Sequence, residues 1–179
     1  MKKYFINLVS IGVIVFLFTS CSNKIFFTND MRIKLDEYDL EIGKVQFYNS
    51  NKIVLKRVLP YDSAGITNGA IRFENGKLVN TIIINKNTPG TCEFVEDGLL
   101  NMTFEDGDNK YLIFKTGLNG KYYELWVNRD LQNFGQILYD NEKYLIQQGS
   151  EKAKLLVKKD QEYILRVQQR IVKGRKVEK

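Results

Sequence analysis

Residues 71–84, with the sequence IRFENGKLVNTIII, contain the pattern that decides the fold class. Ile71 and Phe73 alternate with polar residues before Asn75-Gly76, and apolar residues resume at Leu78. Alternation with a period of two predicts half-buried strands. Asn-Gly is typical of a two-residue hairpin turn, because both central residues of such a turn adopt positive φ. The stretch therefore predicts two antiparallel strands joined by a tight turn.

The same turn signal recurs along the chain. Further dipeptides of this kind lie at Asn68-Gly69, Asp97-Gly98, Asp106-Gly107, Asn119-Gly120 and Asp140-Asn141. Asn49-Ser50-Asn51, between two apolar runs, is interpreted in the same way as a hairpin turn. Regularly spaced short strands predict a mainly β chain, an antiparallel β-sandwich or a small β-barrel of about 10–12 short strands. The 12% of aromatic residues fits strands better than helices. The large apolar residues expected to supply the core are Phe73, Phe104, Phe114, Leu125 and Trp126.

Helix is weakly indicated. Residues 31–42 fit a strand and a turn at least as well as a helix, and no other segment before residue 150 favours one. Lys154-Leu155-Leu156-Val157 predicts a last strand. Asp160 could then cap a short C-terminal helix over 161–170, although Tyr163, Leu165 and Val167 would also share one side of a strand.

The N-terminus has the composition of an export signal. Lys2 and Lys3 precede a mostly apolar run over 6–18, and small polar residues lead to Cys21. A charged start, a short apolar run and a small-residue exit are typical of a secretory signal peptide. The apolar run is shorter than the roughly 20 residues of a membrane-spanning helix.

This segment resembles the lipobox of bacterial lipoproteins. Thr19 and Ser20 match the small residues before the cleavage site, Cys21 matches the lipidated cysteine, and Phe18 stands where leucine is usual. The resemblance implies cleavage between Ser20 and Cys21 and acylation of Cys21. Two or more acyl chains anchor a protein stably, at about 0.8 kcal/mol per buried methylene. The resemblance also implies a location in the cell envelope. Ser22, which follows the cysteine, favours the outer membrane, with the domain on either its periplasmic or its external side.

The implied domain organisation has four parts. Residues 1–20 are the signal peptide, and 21–30 are the lipidated cysteine and a tether. Residues 25–27 of the tether are apolar enough to dock on the domain or to enter the membrane interface beside the lipid. Residues 31–172 form a single β domain, and 173–179 form a basic C-terminal tail. Of the 27 Lys+Arg and 21 Asp+Glu, 10 and 4 lie in residues 151–179, which leaves 17 of each before residue 151. The net charge of +6 is therefore a property of the C-terminal segment.

The basic tail is a candidate contact patch. It contains Lys173, Arg175, Lys176 and Lys179. A solvated terminus is one interpretation, and contact with anionic headgroups, cell-wall polymer or an acidic protein is another. Nucleic acid is not expected as a partner, because the compartment is wrong and no recognition motif is present.

The composition removes most catalytic chemistry. The chain has no histidine, so imidazole acid–base chemistry and Ser-His-Asp or Cys-His arrangements are excluded. If Cys21 is acylated, Cys92 has no partner for a disulfide, and we interpret it as a small buried apolar residue. No cofactor motif and no metal site are predicted. Two acidic groups could bind a cation or act in catalysis, but are expected to be solvated surface: Asp36, Glu37, Asp39 and Glu41, and Glu105, Asp106 and Asp108.

Two functions follow as hypotheses. The first is a non-catalytic, membrane-anchored binding or assembly module whose partners are the membrane, through its acyl chains, and an envelope protein or cell-wall polymer. The alternative is a carboxylate-dependent glycan hydrolase or a carbohydrate-binding lipoprotein. The alternative predicts a cleft with aromatic rings, and for the hydrolase at least two acidic side chains within it.

Overall fold

The computed structural model describes residues 23–60, 70–129 and 135–160. Within these residues the protein is mainly β, with two antiparallel sheets and one α-helix, α1 (Asn29–Glu37). The strands are β1 (Lys24–Phe26), β2 (Phe47–Asn49), β3 (Ile53–Leu59), β4 (Ala70–Glu74), β5 (Lys77–Ile84), β6 (Pro89–Glu96), β7 (Leu99–Thr103), β8 (Tyr111–Thr116), β9 (Tyr123–Leu125), β10 (Asn128–Arg129), β11 (Gly135–Tyr139), β12 (Glu142–Ile146) and β13 (Leu155–Lys158).

The two sheets are built from strands that are distant in sequence. Sheet 1 has the order β1-β13-β2-β6-β7-β8-β9, and sheet 2 has the order β10-β11-β12-β3-β5-β4. The chain passes directly from one sheet to the other between β2 and β3 and between β9 and β10. This arrangement confirms the predicted mainly β fold and its sandwich form.

Three predicted hairpins are confirmed with the expected turn geometry. Asn75-Gly76 joins β4 to β5, Asp97-Gly98 joins β6 to β7, and Asp140-Asn141 joins β11 to β12. All six turn residues have positive φ, between 48° and 77°. Positive φ at both central positions matches the right-handed twist of the flanking strands. The strand predicted over 154–157 is also present, as β13.

The hairpin predicted at Asn49-Ser50-Asn51 is wrong. β2 pairs with β13 and β6 in sheet 1, whereas β3 pairs with β5 and β12 in sheet 2. The Asn49 side chain is fully buried at this corner, and its amide donates to the carbonyls of Asn51, at 2.7 Å, and Asn85, at 2.8 Å. These bonds satisfy the backbone where the chain changes sheet.

Of the two interpretations left open for residues 31–42, the structure has the helix, because α1 occupies Asn29–Glu37. The Thr28 hydroxyl caps the helix by accepting from the Met31 N–H at 3.2 Å, and Asp30 lies in the first turn. Both features stabilise a helix N-terminus. Leu35 is the buried residue of the helix and holds it to the core.

Residues 24–30, placed in the tether by the sequence, belong to the domain in the structure. β1 pairs with β13 from Lys24 to Phe26, and α1 begins three residues later. Phe27 is fully buried between Phe47 and Tyr123, with ring centroids at 5.0 Å and 5.4 Å. The apolar segment docks because extended backbone puts Ile25 and Phe27 on the core side. The C-terminal helix over 161–170 and the tail over 173–179 lie outside the described residues.

The core lies between the two sheets. Sheet 1 and sheet 2 each contribute alternate residues from their inner faces, as the period of a strand requires. The fully or almost fully buried side chains include Phe47, Leu100, Met102, Leu112, Phe114, Leu155 and Val157 from sheet 1 and Ile53, Leu55 and Tyr139 from sheet 2.

Candidate functional site

The structure begins two residues after the predicted lipidation site. Ser20 and Cys21 lie outside the described residues. The Asn23 carbonyl accepts from the Lys159 N–H at 2.9 Å, and Lys24 is paired with Lys158 in the sheet. Only Ser22 and Asn23 separate Cys21 from β1, and three residue steps span at most about 11 Å.

Lysine and aromatic side chains share the outer side of sheet 1 around β1. We call this surface the basic-aromatic face and define it by Lys24, Phe26, Tyr48, Lys121, Tyr122 and Lys154. They share one side because the alternate residues face the core: Ile25 of β1, Phe27 just after it, and Leu155 and Val157 of β13. The isolated bridges Thr28↔Tyr122 and Glu124↔Lys154 bring the β9 end of the chain to the same place.

The contacts within the face join cations to rings. The Lys24 ammonium lies 4.4 Å from the centre of the Tyr48 ring, and the Lys121 ammonium lies 5.2 Å from that of Tyr122. Lys154 lies 5.0 Å from the Tyr122 ring and 5.9 Å from the Phe26 ring. Ammonium groups within about 6 Å of a ring are attracted to its face. The rings therefore hold three lysines close together on one surface.

A separate groove lies where β8 of sheet 1 meets β10 and β11 of sheet 2. We call it the amide groove, with a volume of about 220 Å³. The Trp126 N–H donates to the Ile113 carbonyl at 2.8 Å, and the Asp140 N–H donates to the Asn109 carbonyl at 2.8 Å, so backbone bonds connect its two walls. It is lined by Asn109, Tyr111, Ile113, Trp126, Asn128, Gln136, Ile137, Leu138, Asn141 and Lys143.

The amide groove has the chemistry of a binding site for a polar chain. Its lining combines two aromatic rings with four carboxamide side chains, which both donate and accept hydrogen bonds. One lysine and no acidic side chain belong to this lining. The volume is below the roughly 300–1,000 Å³ of pockets for drug-sized ligands. The groove therefore suits one unit of a peptide or glycan better than a whole cofactor.

Trp126 also lines a second, more open groove of about 370 Å³. Lys115, Arg129, Glu124 and Glu151 are among its lining residues. The Lys115 ammonium lies 5.6 Å from the Trp126 ring, and Glu124 forms an ion pair with Lys154 at 2.9 Å. This groove holds two carboxylates, but neither belongs to the acidic groups singled out from the sequence.

The acidic residues predicted as alternatives lie on two different exposed segments. Asp36, Glu37, Asp39 and Glu41 lie at the end of α1 and just after it, and Asp106 and Asp108 lie in the β7–β8 turn. Glu105 of the same turn accepts the Tyr139 O–H at 2.8 Å and lies 3.6 Å from the Lys110 ammonium. Among the described residues, no group of three or more cysteines and carboxylates is placed to hold a metal ion.

Burial raises the pKa of several core groups without making them reactive. Cys92 is buried in β6, as predicted, and desolvation raises its thiol pKa to about 11. Burial, and then the hydrogen bond to Glu105, raise the pKa of Tyr139 above its ordinary value. Burial likewise raises the pKa of Tyr123 and Tyr144. A thiol with a raised pKa is a poor nucleophile near neutral pH.

The candidate basic contact patch belongs to the C-terminal tail. Lys173, Arg175, Lys176 and Lys179 lie outside the described residues. Two further basic residues, Lys56 and Arg57 of β3, form ion pairs with Glu74 at 2.8 Å and with Glu142 at 2.6 Å.

Sequence reasoning missed both surfaces. Trp126 and Phe73 are expected in the core, but Trp126 is 38% exposed and Phe73 is 60% exposed. The sequence does contain a signal for the exposure of Trp126. Glu124 and Asn128, which share its side of an extended chain, are polar, whereas Leu125 on the other side is apolar. The lysines of the basic-aromatic face are scattered over the sequence and gave no local signal.

Comparison of the chain with protein-family models, with curated proteins and with solved structures finds no match. None of the described helices is long and apolar enough to cross a membrane.

Proposed function

We propose that this protein is a lipid-anchored module of the bacterial cell envelope that binds another envelope component without catalysing a reaction on it. The anchor is Cys21, exposed as the new N-terminus by cleavage after Ser20, and the membrane is the outer one. The amide groove is the binding site.

One observation supports binding over catalysis. The lining of the amide groove offers rings and carboxamides but no carboxylate, histidine or thiol. General acid–base and nucleophilic chemistry most often use such groups, and the ionisable side chains of this lining are Tyr111 and Lys143 alone. Rings and amides are enough to hold a polar chain in a defined register. Anchoring by acyl chains adds affinity by raising the effective concentration at the membrane.

A site-specific photo-crosslinker tests this proposal. Leu138, in the groove, and Phe73, at the edge of sheet 2, are 61% and 60% exposed, which makes them a matched pair of positions. A photoreactive phenylalanine at Leu138 should give a discrete adduct in intact cells, recovered from detergent-solubilised envelopes, and one at Phe73 should not. Equal adducts from both positions, or none from Leu138, would contradict binding in this groove.

The carbohydrate-binding alternative is favoured by the pairing of Trp126 and Tyr111 with carboxamides in one groove. Aromatic faces pack against sugar rings, and amides bind hydroxyl groups. Because Trp126 is the one tryptophan of the chain, soluble cell-wall fragments should change its fluorescence on binding. Asn128→Ala should weaken that response. A glycan-binding function fails if the fragments leave the Trp126 emission unchanged, while a protein adduct at Leu138 would support the first proposal.

A further inference from the structure

We propose that the basic-aromatic face rests directly on a surface of anionic lipid headgroups and fixes the orientation of the domain on its membrane. This inference rests on the lipid anchor at Cys21 in the proposed function and adds a second, non-covalent contact. The partner is the headgroup layer of the bilayer that holds the acyl chains.

The position of the face follows from the length of chain between it and the anchor. β1 begins at Lys24, three residue steps after Cys21, and the steps span at most about 11 Å. β1 is fixed in sheet 1 by its pairing with β13 and by the buried Phe27 ring. The domain therefore cannot move away from the headgroups, and the surface around β1 is the one nearest to them.

The charge of this surface is complementary to anionic headgroups. Lys24, Lys121 and Lys154 lie on it, and Lys158 is the cross-strand neighbour of Lys24. Glu124 forms an ion pair with Lys154 and offsets one of these charges. Each basic residue close to an anionic membrane raises the affinity of a protein for that membrane about fivefold. The effect falls off within a Debye length, about 10 Å at 0.1 M salt.

The aromatic residues suit the same environment. Phe26 is 44% exposed, and its ring packs on that of Tyr122 at 5.3 Å. Aromatic rings collect at membrane–water interfaces, where the apolar body leaves water and the polar end stays hydrated. The Lys154 ammonium lies over both rings. Lysine side chains at an interface keep their charged ends hydrated, at the level of the headgroup phosphates. An exposed apolar ring such as Phe26 gains by leaving water at such an interface.

Lysine acetylation of the intact lipidated protein tests the proposal. The protein is inserted into vesicles of phosphatidylcholine alone or with about 30 mol% of anionic phosphatidylglycerol. It is then labelled sparingly with an acetylating reagent, and modification of each lysine is measured by mass spectrometry. Lys24, Lys121 and Lys154 should react about fivefold more slowly in the anionic vesicles than in the neutral ones. The difference should shrink in 1 M salt, where the Debye length is about 3 Å.

Lys44 and Lys77 are the internal controls, because both are exposed and neither belongs to the face. Their rates should be equal in the two kinds of vesicle. Equal rates for the face lysines in both vesicles would overturn the proposal, and so would equal slowing of the control lysines. Failure of the protein to float with either vesicle would contradict the anchor at Cys21, and both proposals with it.

Discussion

Replacing Phe27 by alanine should destabilise the domain strongly, although this residue lies only six positions after the predicted lipidation site. The ring is 0% exposed and contacts Phe47 edge-on and Tyr123 at a tilt. Removing a buried phenylalanine lowers the free energy of unfolding by about 3–5 kcal/mol. Phe26 is the matched control, because it is adjacent but 44% exposed. Phe26→Ala should lose about half of the free energy gained by burying a whole phenylalanine side chain, roughly 1 kcal/mol.

The two variants should therefore differ by at least about 2 kcal/mol, or about 30-fold in the unfolding equilibrium constant. Urea titration of the detergent-solubilised protein, followed by Trp126 fluorescence, measures both. Similar midpoints for Phe26→Ala and Phe27→Ala would mean that residues 24–27 are a free linker. That result would refute the reasoning that places β1 in the sandwich and the anchor beside it.

Two further sites in sheet 1 give predictions. Gly90→Ala should lower the free energy of unfolding by about 1–3 kcal/mol, because its Cβ would lie 2.6 Å from the Thr103 carbonyl and 2.7 Å from the Phe104 ring. Gly43→Ala, with a single 3.5 Å contact, should change it by less than about 0.5 kcal/mol, and comparable losses would contradict this account of Gly90. The folded domain keeps the Cys92 proton up to a pKa of about 11, whereas the unfolded chain loses it near 9.0, so the unfolded state binds fewer protons between these values. Stability should therefore fall as the pH rises from 9 to 11, less so in Cys92→Ala, and an unchanged slope in that variant would argue against burial of the thiol.

Local signals in the sequence were sufficient for the hairpins. Asn75-Gly76 and Asp97-Gly98 predict turns because asparagine, aspartate and glycine adopt the required positive φ more readily than other residues do. Asn49-Ser50-Asn51 carries similar turn chemistry, yet β2 and β3 enter different sheets. The outcome there depends on pairing of β2 with β13, about a hundred residues away, and on the buried Asn49 amide. A local pattern contains neither of these contacts.

The two candidate surfaces could not be predicted from the sequence for the same reason. The amide groove joins Tyr111 of β8 to Asn128 of β10 and Gln136 of β11, and the basic-aromatic face joins β1 to residues near 121 and 154. Each is assembled by sheet order rather than by spacing along the chain. The lipidation site, by contrast, is predicted from a contiguous motif, a kind of signal that the groove does not have.

Incorporation of a fatty-acid precursor at Cys21 is the most direct test of a lipid-anchored domain. Cells that express the full chain are grown with an alkyne-tagged fatty acid, and the protein is isolated and examined for the tag. The wild type and Cys92→Ala should both carry it, because Cys92 is buried in β6 and is not the acceptor. Cys21→Ala should carry none and should leave the membrane fraction. Label that persists in Cys21→Ala, or a wild-type protein without label, would contradict the account.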